Sequence, residues 1–286
     1  LNHNEQMEND PQKAKMFEEP VFANMVEALE FYNARHPQKI AYRFLEGGEV
    51  PGPTLTYGQL YTAARKLAAE ISEHANPGDR AMLIFPSGLD FPVAFFACLM
   101  SGVIAVPMYV PSGKRRLERF ETVARDCTPV LAIGESGSSA KAKEWFGENT
   151  SLDNLKWIET DLIGEVSERP LPKLDSDAIA FLQYTSGSTG NPKGVQVTHS
   201  NLVHNTWLIY CASGGTENIV SWLPIYHDMG LIGNILFNIY VGSTLTLMAP
   251  VDFIKRPSRW LKALSDYKAG SSAAPNFAYD LCVKYI

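Results

Sequence analysis

The sequence lacks paired cysteines. Its four, Cys98, Cys127, Cys211 and Cys282, stand far apart with no C-x-x-C pair. That spacing offers neither a zinc knuckle nor a disulfide framework, and it fits buried reduced thiols in a cytoplasmic protein. The six histidines, His3, His36, His74, His199, His204 and His227, include no H-E-x-x-H pair. His199 and His204 read as helix-surface and packing residues, so no protein metal site is expected. Charge of one sign is also missing: the net charge is -6 with both signs mixed throughout, which excludes a basic footprint for nucleic acid or for an anionic membrane. The first residues are polar, with Glu5, Glu8 and Asp10, so an apolar leader is not expected.

Uninterrupted apolar spans are scarce as well. Two uncharged runs, residues 91–113 and 229–251, have the length of a membrane crossing. Pro92, Ser101, Gly102 and Pro107 divide the first into a buried helix over 93–100 and a strand over 103–106. In the second, Asn234, Asn238, Gly242 and Ser243 part a helix from a strand over 244–248. No transmembrane segment is expected, and a helix followed by an apolar strand is the pattern of a parallel sheet covered on both faces. A chain of 286 residues, 45% of them apolar, can bury roughly three quarters of its unfolded surface.

What is there alternates between strands and helices. Residues 1–15 read as a frayed or disordered tail. A helix over 24–35 places Met25, Val26, Leu29 and Tyr32 on one face and stops before Pro37. Strands follow over 40–45 and 54–56, and Thr56 with Gln59 forms a capping box for a helix whose stripe is Leu60, Ala64, Leu67, Ala68 and Ile71. Further strands are expected over 79–85, 129–133, 156–158, 178–184, 195–198, 219–223 and 271–273, with helices over 115–126, 201–210, 257–267 and 277–284. Residues 134–139 read as a loop. The class is α/β with two largely parallel sheets.

The densest chemistry lies in Thr185-Ser186-Gly187-Ser188-Thr189-Gly190-Asn191-Pro192-Lys193-Gly194. Glycines let backbone N–H groups approach an anion, Ser and Thr add hydroxyl donors, and Lys193 adds a full charge, which together make a phosphate clamp. The spacing is not that of a Walker loop, because Lys193 follows Pro192 and precedes Gly194. With a strand on either side, the stretch reads as a hairpin carrying a clamp and not as a strand-to-helix cradle.

This stretch, from Tyr184 to Val195 and on through Thr198-His199-Ser200-Asn201-Leu202, resembles the signature loop of the adenylate-forming superfamily. Residues 80–91, 221–233 (Ser221-Trp222-Leu223-Pro224-Ile225-Tyr226-His227-Asp228-Met229-Gly230-Leu231-Ile232-Gly233), 253–261 and 274–282 are similar to blocks of one branch, the long-chain fatty acyl-AMP ligases. The resemblance covers about residues 22–282. It implies a layered αβαβα arrangement of two sheets flanked by helices, as in the N-terminal domain of those enzymes. Residues 16–286 are expected to form an incomplete adenylation domain, one subdomain over about 78–198 and the other over about 16–77 with 199–286.

The implied reaction joins a fatty acid to ATP, giving fatty acyl-AMP and pyrophosphate with Mg²⁺, and passes the acyl group to the phosphopantetheine of an acyl carrier protein or of a polyketide or nonribosomal peptide synthase. By the same resemblance Thr185, Ser186, Gly187, Ser188, Thr189 and Gly190 hold the β- and γ-phosphates, Lys193 neutralises the departing pyrophosphate, and His227 sits near the carboxylate and α-phosphate. Trp222, Met229, Ile232 and Phe277 are implied to line the acyl channel. The plainer alternatives are His227 as a packed loop histidine and the four apolar residues as core. A fatty acyl-CoA ligase and a non-catalytic lipid or nucleotide binding module are the alternative functions. The family's later glutamate motif, its ribose-gripping aspartate and its C-terminal domain with a catalytic lysine are not in this sequence, so these 286 residues by themselves are expected to be inactive.

Overall fold

The computed structural model describes residues 21–110, 114–146, 155–167, 169–185 and 192–285. The chain opens with helix α1 (Met25–Arg35), capped by Asn24, whose side chain accepts the Glu27 N–H at 3.0 Å. Strands β1 (Ile40–Glu46) and β2 (Val50–Thr56) form a hairpin that leads into α2 (Tyr57–Ser72). The Thr56–Gln59 capping box expected from the sequence is present in both directions. Then follow β3 (Arg80–Phe85), α3 (Asp90–Ser101), β4 (Ile104–Tyr109), α4 (Lys114–Cys127), β5 (Leu131–Gly134), α5 (Ser136–Phe146) and β6 (Lys156–Glu159). The last third holds β7 (Ile179–Thr185), β8 (Lys193–Thr198), α6 (His199–Ser213), β9 (Asn218–Ser221), a helical run, β10 (Thr244–Met248), α9 (Pro250–Lys255), α10 (Ser258–Asp266) and α11 (Asn276–Tyr285). The run consists of α7 (Asp228–Gly230), a π-helical stretch (Leu231–Leu236) and α8 (Phe237–Val241).

Two sheets result, ordered β2-β1-β10-β9 and β6-β5-β3-β4-β7-β8. All pairings are parallel except the hairpins β1–β2 and β7–β8. Successive side chains on a strand point to opposite faces, and here both faces are covered. From β3, Leu83 and Phe85 enter a large central core that also takes Tyr42, Leu245 and Leu247 of the other sheet together with α1, α2, α3 and α6. Met82 and Ile84 face the other way, against Phe120, Val123 and Ala124 of α4 and Ala142 of α5. On the far side of the smaller sheet, Leu45, Val220 and Met248 pack on Phe253, Trp260, Ala263 and Ala278. The order of layers is therefore helix, sheet, helix, sheet, helix, as expected from the resemblance.

The π-helical stretch displaces carbonyls from the regular ladder, and buried donors meet them. Tyr42 donates its hydroxyl to Ile235 O at 2.9 Å, and just beyond the helical run Tyr57 donates to Ser243 O at 2.8 Å. Among the described residues no helix is long and apolar enough to cross a membrane.

Several local expectations are corrected. Residues 136–139 open α5 and are not loop, because Ser136 donates its N–H and hydroxyl to Asp161 and Ser139 bonds Glu159, both from the neighbouring edge. Those partners outweigh the poor helix propensity of a Ser-Gly-Ser-Ser turn. Pro92 lies inside the first turn of α3, where a missing N–H costs nothing. Pro107 lies within β4, at a level where the ladder to β7, recorded at Ala105, no longer runs. Ser271 makes a single bridge to Ile219 in place of the strand expected over 271–273, since the Ser272 hydroxyl, not a backbone N–H, takes Val220 O at 2.6 Å.

Two predictions follow from the packing. Gly242 has φ +71°, and a Cβ there would overlap the Tyr32 ring, so Gly242→Ala is expected to cost about 2 kcal/mol or more in denaturant unfolding. His199, 2% exposed, is held down to about 4 by burial of its ring. Its folded value lies below the unfolded one, so its contribution is whole above about pH 6.5 and is lost as pH falls toward 4. Urea midpoints read from pH 7 to pH 4 should show that loss, on the order of 3 kcal/mol, and His199→Leu should flatten the slope.

Candidate active site

The β7–β8 hairpin forms as expected. Its register sets Thr185 opposite Lys193 at the open end, Tyr184 opposite Gly194 and Gln183 opposite Val195. Ser186, Gly187, Ser188, Thr189 and Gly190 lie outside the described residues. Thr185 and Lys193 are both exposed. Beneath them Tyr184 turns outward and donates to Asp126 Oδ2 of α4 at 2.5 Å. Burial, with this carboxylate acceptor, pushes the phenol well above its usual range. The Tyr184 ring lies so close under the opposite strand that a Cβ on Gly194 would come within 2.8 Å of it. Glycine after Lys193 therefore serves strand packing, beside a lysine that is exposed at the hairpin mouth.

The other face of β7 looks toward the smaller sheet. By strand alternation Phe181, Gln183 and Thr185 share that face. Phe181 belongs to the central core and meets Phe95 edge-on at 5.6 Å. Two residues on, Gln183 donates Nε2–H to Tyr226 O at 3.2 Å. That bond ties the larger sheet to the loop after β9, the segment that carries His227. The Tyr226 ring also packs at 5.8 Å on Tyr109, which ends β4. The site thus lies outside the carboxyl ends of β4 and β7, the usual ligand position in open α/β sheets.

The loop is held along its backbone. His227 N–H donates to Pro224 O at 3.1 Å, and His227 O accepts from Leu231 N at 2.7 Å. Gly230 packs so tightly that a Cβ would overlap the Pro224 carbonyl oxygen. The His227 side chain, in contrast, is 65% exposed, with Nδ1 against Asp228 Oδ1. Asp228 also accepts the Met229 N–H at 2.7 Å. With Nδ1 turned to a carboxylate, Nε2 is the ring atom left for a substrate.

The four apolar candidates fall into two groups. Met229, 41% exposed, and half-buried Ile232 continue the His227 loop into the helical run, with Ile232 resting on the central core. Trp222, 3% exposed, stacks on Phe253 at 3.9 Å and meets Trp260 at 6.4 Å, in the layer beyond the smaller sheet. Phe277 of α11, 48% exposed, touches it edge-on at 6.0 Å. Among the described residues no group of three or more His, Cys, Asp or Glu side chains is arranged to hold a metal ion. Gln183 and Tyr109 were not singled out by sequence reasoning. The signal for the first was available, since Gln183 is an amide set in a run of buried apolar residues on the face that leads to Thr185.

Known proteins resemble this chain in sequence and in fold. The chain is 36% identical over 273 residues to the medium-chain-fatty-acid–[acyl-carrier-protein] ligase JamA of Moorena producens, covering 93% of this chain and 46% of that protein. It is 37% identical over 262 residues to the long-chain-fatty-acid–AMP ligase FadD26 of Mycobacterium marinum, covering 87% and 45%. The crystal structure of a fatty acyl-adenylate ligase from L. pneumophila, in complex with acyl adenylate and pyrophosphate, superposes with a TM-score of 0.84 at 36% identity, covering 97% of this chain and 47% of that one. The chain spans just under half the length of these relatives. The pattern of a family described as AMP-binding enzyme matches residues 29–285, and the chain belongs to that family.

Proposed function

We propose that the full-length protein is an ATP-dependent fatty acyl-AMP ligase. It converts ATP and a fatty acid to acyl-AMP and pyrophosphate, then passes the acyl group to the phosphopantetheine thiol of an acyl carrier protein, free or within a polyketide or nonribosomal peptide synthase. The observation that carries this reading is the meeting of two segments: Thr185 and Lys193 face each other at the mouth of the hairpin, and the His227 loop is tied to the same strand through Gln183. The relatives, one named for carrier-protein ligation and one crystallised with an acyl adenylate, support it.

In the reaction a carboxylate oxygen attacks the α-phosphorus, the bond to the bridging oxygen breaks, and pyrophosphate leaves. Two anions must meet, so positioning and fixed positive charge are the main catalytic terms. Thr185 with Ser186, Gly187, Ser188, Thr189 and Gly190 holds the β- and γ-phosphates, and Lys193 offsets the charge that collects on pyrophosphate. His227 offers Nε2 to the carboxylate and α-phosphate. Met229 and Ile232, two and five residues after His227, start the acyl channel, and Phe277 backed by Trp222 contributes a wall. The oxygen donor at Thr185, with no carboxylate cluster among the described residues, fits a Mg²⁺ held mainly by phosphate oxygens and water. When bound, that ion supplies neutralisation of the phosphoryl oxygens. A cytoplasmic location, where ATP and carrier proteins are found, belongs to the same proposal. So does the division into one subdomain over about 78–198 and another over about 16–77 with 199–286, which the two sheets support.

Lys193→Ala in the full-length protein should reduce fatty-acid-dependent ATP–pyrophosphate exchange by about 10²-fold or more, while calorimetry shows fatty acid binding unchanged. Exchange by the variant at the wild-type rate would remove Lys193 from the chemistry, whereas no fatty-acid-dependent exchange by the wild-type protein would indicate a non-catalytic binding module. Offered both coenzyme A and a phosphopantetheinylated carrier protein, the enzyme is expected to load the carrier; abundant acyl-CoA would assign it to the CoA ligases.

A further inference from the structure

We infer that Gln183 is a positioning residue for His227, acting across the gap between the two sheets. The inference rests on the adenylation reading and adds a residue to it. The peptide unit between Tyr226 and His227 is held at both ends: its oxygen accepts from Gln183 Nε2 at 3.2 Å, and its N–H donates to Pro224 O at 3.1 Å. The following carbonyl, that of His227, accepts from Leu231 N at 2.7 Å. Of these three bonds only the first comes from outside the loop. The other two set the shape of the loop, and Gln183 sets where that shape stands relative to Thr185 and Lys193.

The side chain of His227 needs such an anchor. Its ring is 65% exposed and touches Asp228, a neighbour on the same loop. Among the described residues packing does not locate it, so its position is inherited from the backbone. The Tyr226 ring on Tyr109 gives the loop a second hold on the larger sheet, but an aromatic contact at 5.8 Å tolerates sliding that a hydrogen bond does not.

The chemistry of Gln183 itself points the same way. Its Oε1 is buried and meets no donor among the described residues. Burying an amide with half of its bonding capacity unused is unfavourable relative to an apolar side chain of the same length. Methionine would fill the same space beside Phe181 without that cost. The amide is explained by its N–H, and that N–H goes to the peptide of the candidate catalytic histidine.

The test uses the full-length protein and the variants Gln183→Met, Gln183→Asn and His227→Ala, with thermal unfolding as the check on folding. Gln183→Met should lower kcat for acyl-adenylate formation by about 10- to 100-fold, the scale of a displacement of about 1 Å, with KM for ATP and fatty acid within about threefold of wild type. Gln183→Asn, which keeps the amide but falls one methylene short, should lose a similar amount. Added to His227→Ala, Gln183→Met should cost nothing further, because it acts through the histidine that is gone. Hydrogen exchange over residues 225–231 should quicken about tenfold in Gln183→Met, the equivalent of one lost hydrogen bond. Fully additive losses in the double variant, or unchanged exchange in this segment, would overturn the inference. If the wild-type protein makes no acyl-adenylate, the functional reading fails instead, and the exchange measurement still decides whether Gln183 holds the loop.

Discussion

Each sheet hides both of its faces, and one face of each lies against the same middle layer of helices. That shared layer is the constraint on which the rest depends. Leu83, Phe85 and Phe181 enter it from the larger sheet, Tyr42, Leu245 and Leu247 from the smaller, and α2 and α3 pack closely on one another between them. Close-packed interiors do not deform gradually, so two segments some forty residues apart in sequence, the ends of β7 and the loop after β9, are brought to a fixed separation. Polar groups can then be placed at the rim of that layer with hydrogen-bond accuracy.

The rim is where burial gives way to chemistry, and β7 records the transition on one face: Phe181 in the core, Gln183 at the boundary, Thr185 in the open. The opposite face of the same strand ends in Tyr184, locked to Asp126 on α4. One strand thus anchors the hairpin outward and the histidine loop inward. The π-helical stretch that follows the loop is likewise stitched from the smaller sheet by Tyr42. Both sheets contribute to the candidate site, and neither alone supplies the hairpin mouth and His227 together.

Much of this was legible in the sequence. The capping box at Thr56, helix stripes and apolar strand runs are local signals, and the corresponding elements stand close to where those signals put them. The hairpin reading of the Thr185 to Gly194 stretch also held, because a strand on each side constrains the connection to turn back. What was illegible depended on partners distant in sequence. The helix at Ser136 needs Asp161 and Glu159. The abortive strand at Ser271 needs the Ser272 hydroxyl on Val220. The stacking of Trp222 on Phe253 in the outer aromatic layer is likewise a contact that no periodicity encodes.

Gly230, pressed on the Pro224 carbonyl, and Asn234, which donates to Met229 O at 2.9 Å, hold the main chain over 229–234, the stretch that carries Met229 and Ile232. Those two side chains project from a frame that does not move with them. Under the proposed function, natural variation can therefore trade one aliphatic or aromatic group for another at 229 and 232, and so shift ligand preference among descendants, while the His227 imidazole keeps its aim. On that reading the side chains that select and the one that reacts stand on one rigid turn, and the former can diversify without endangering the latter.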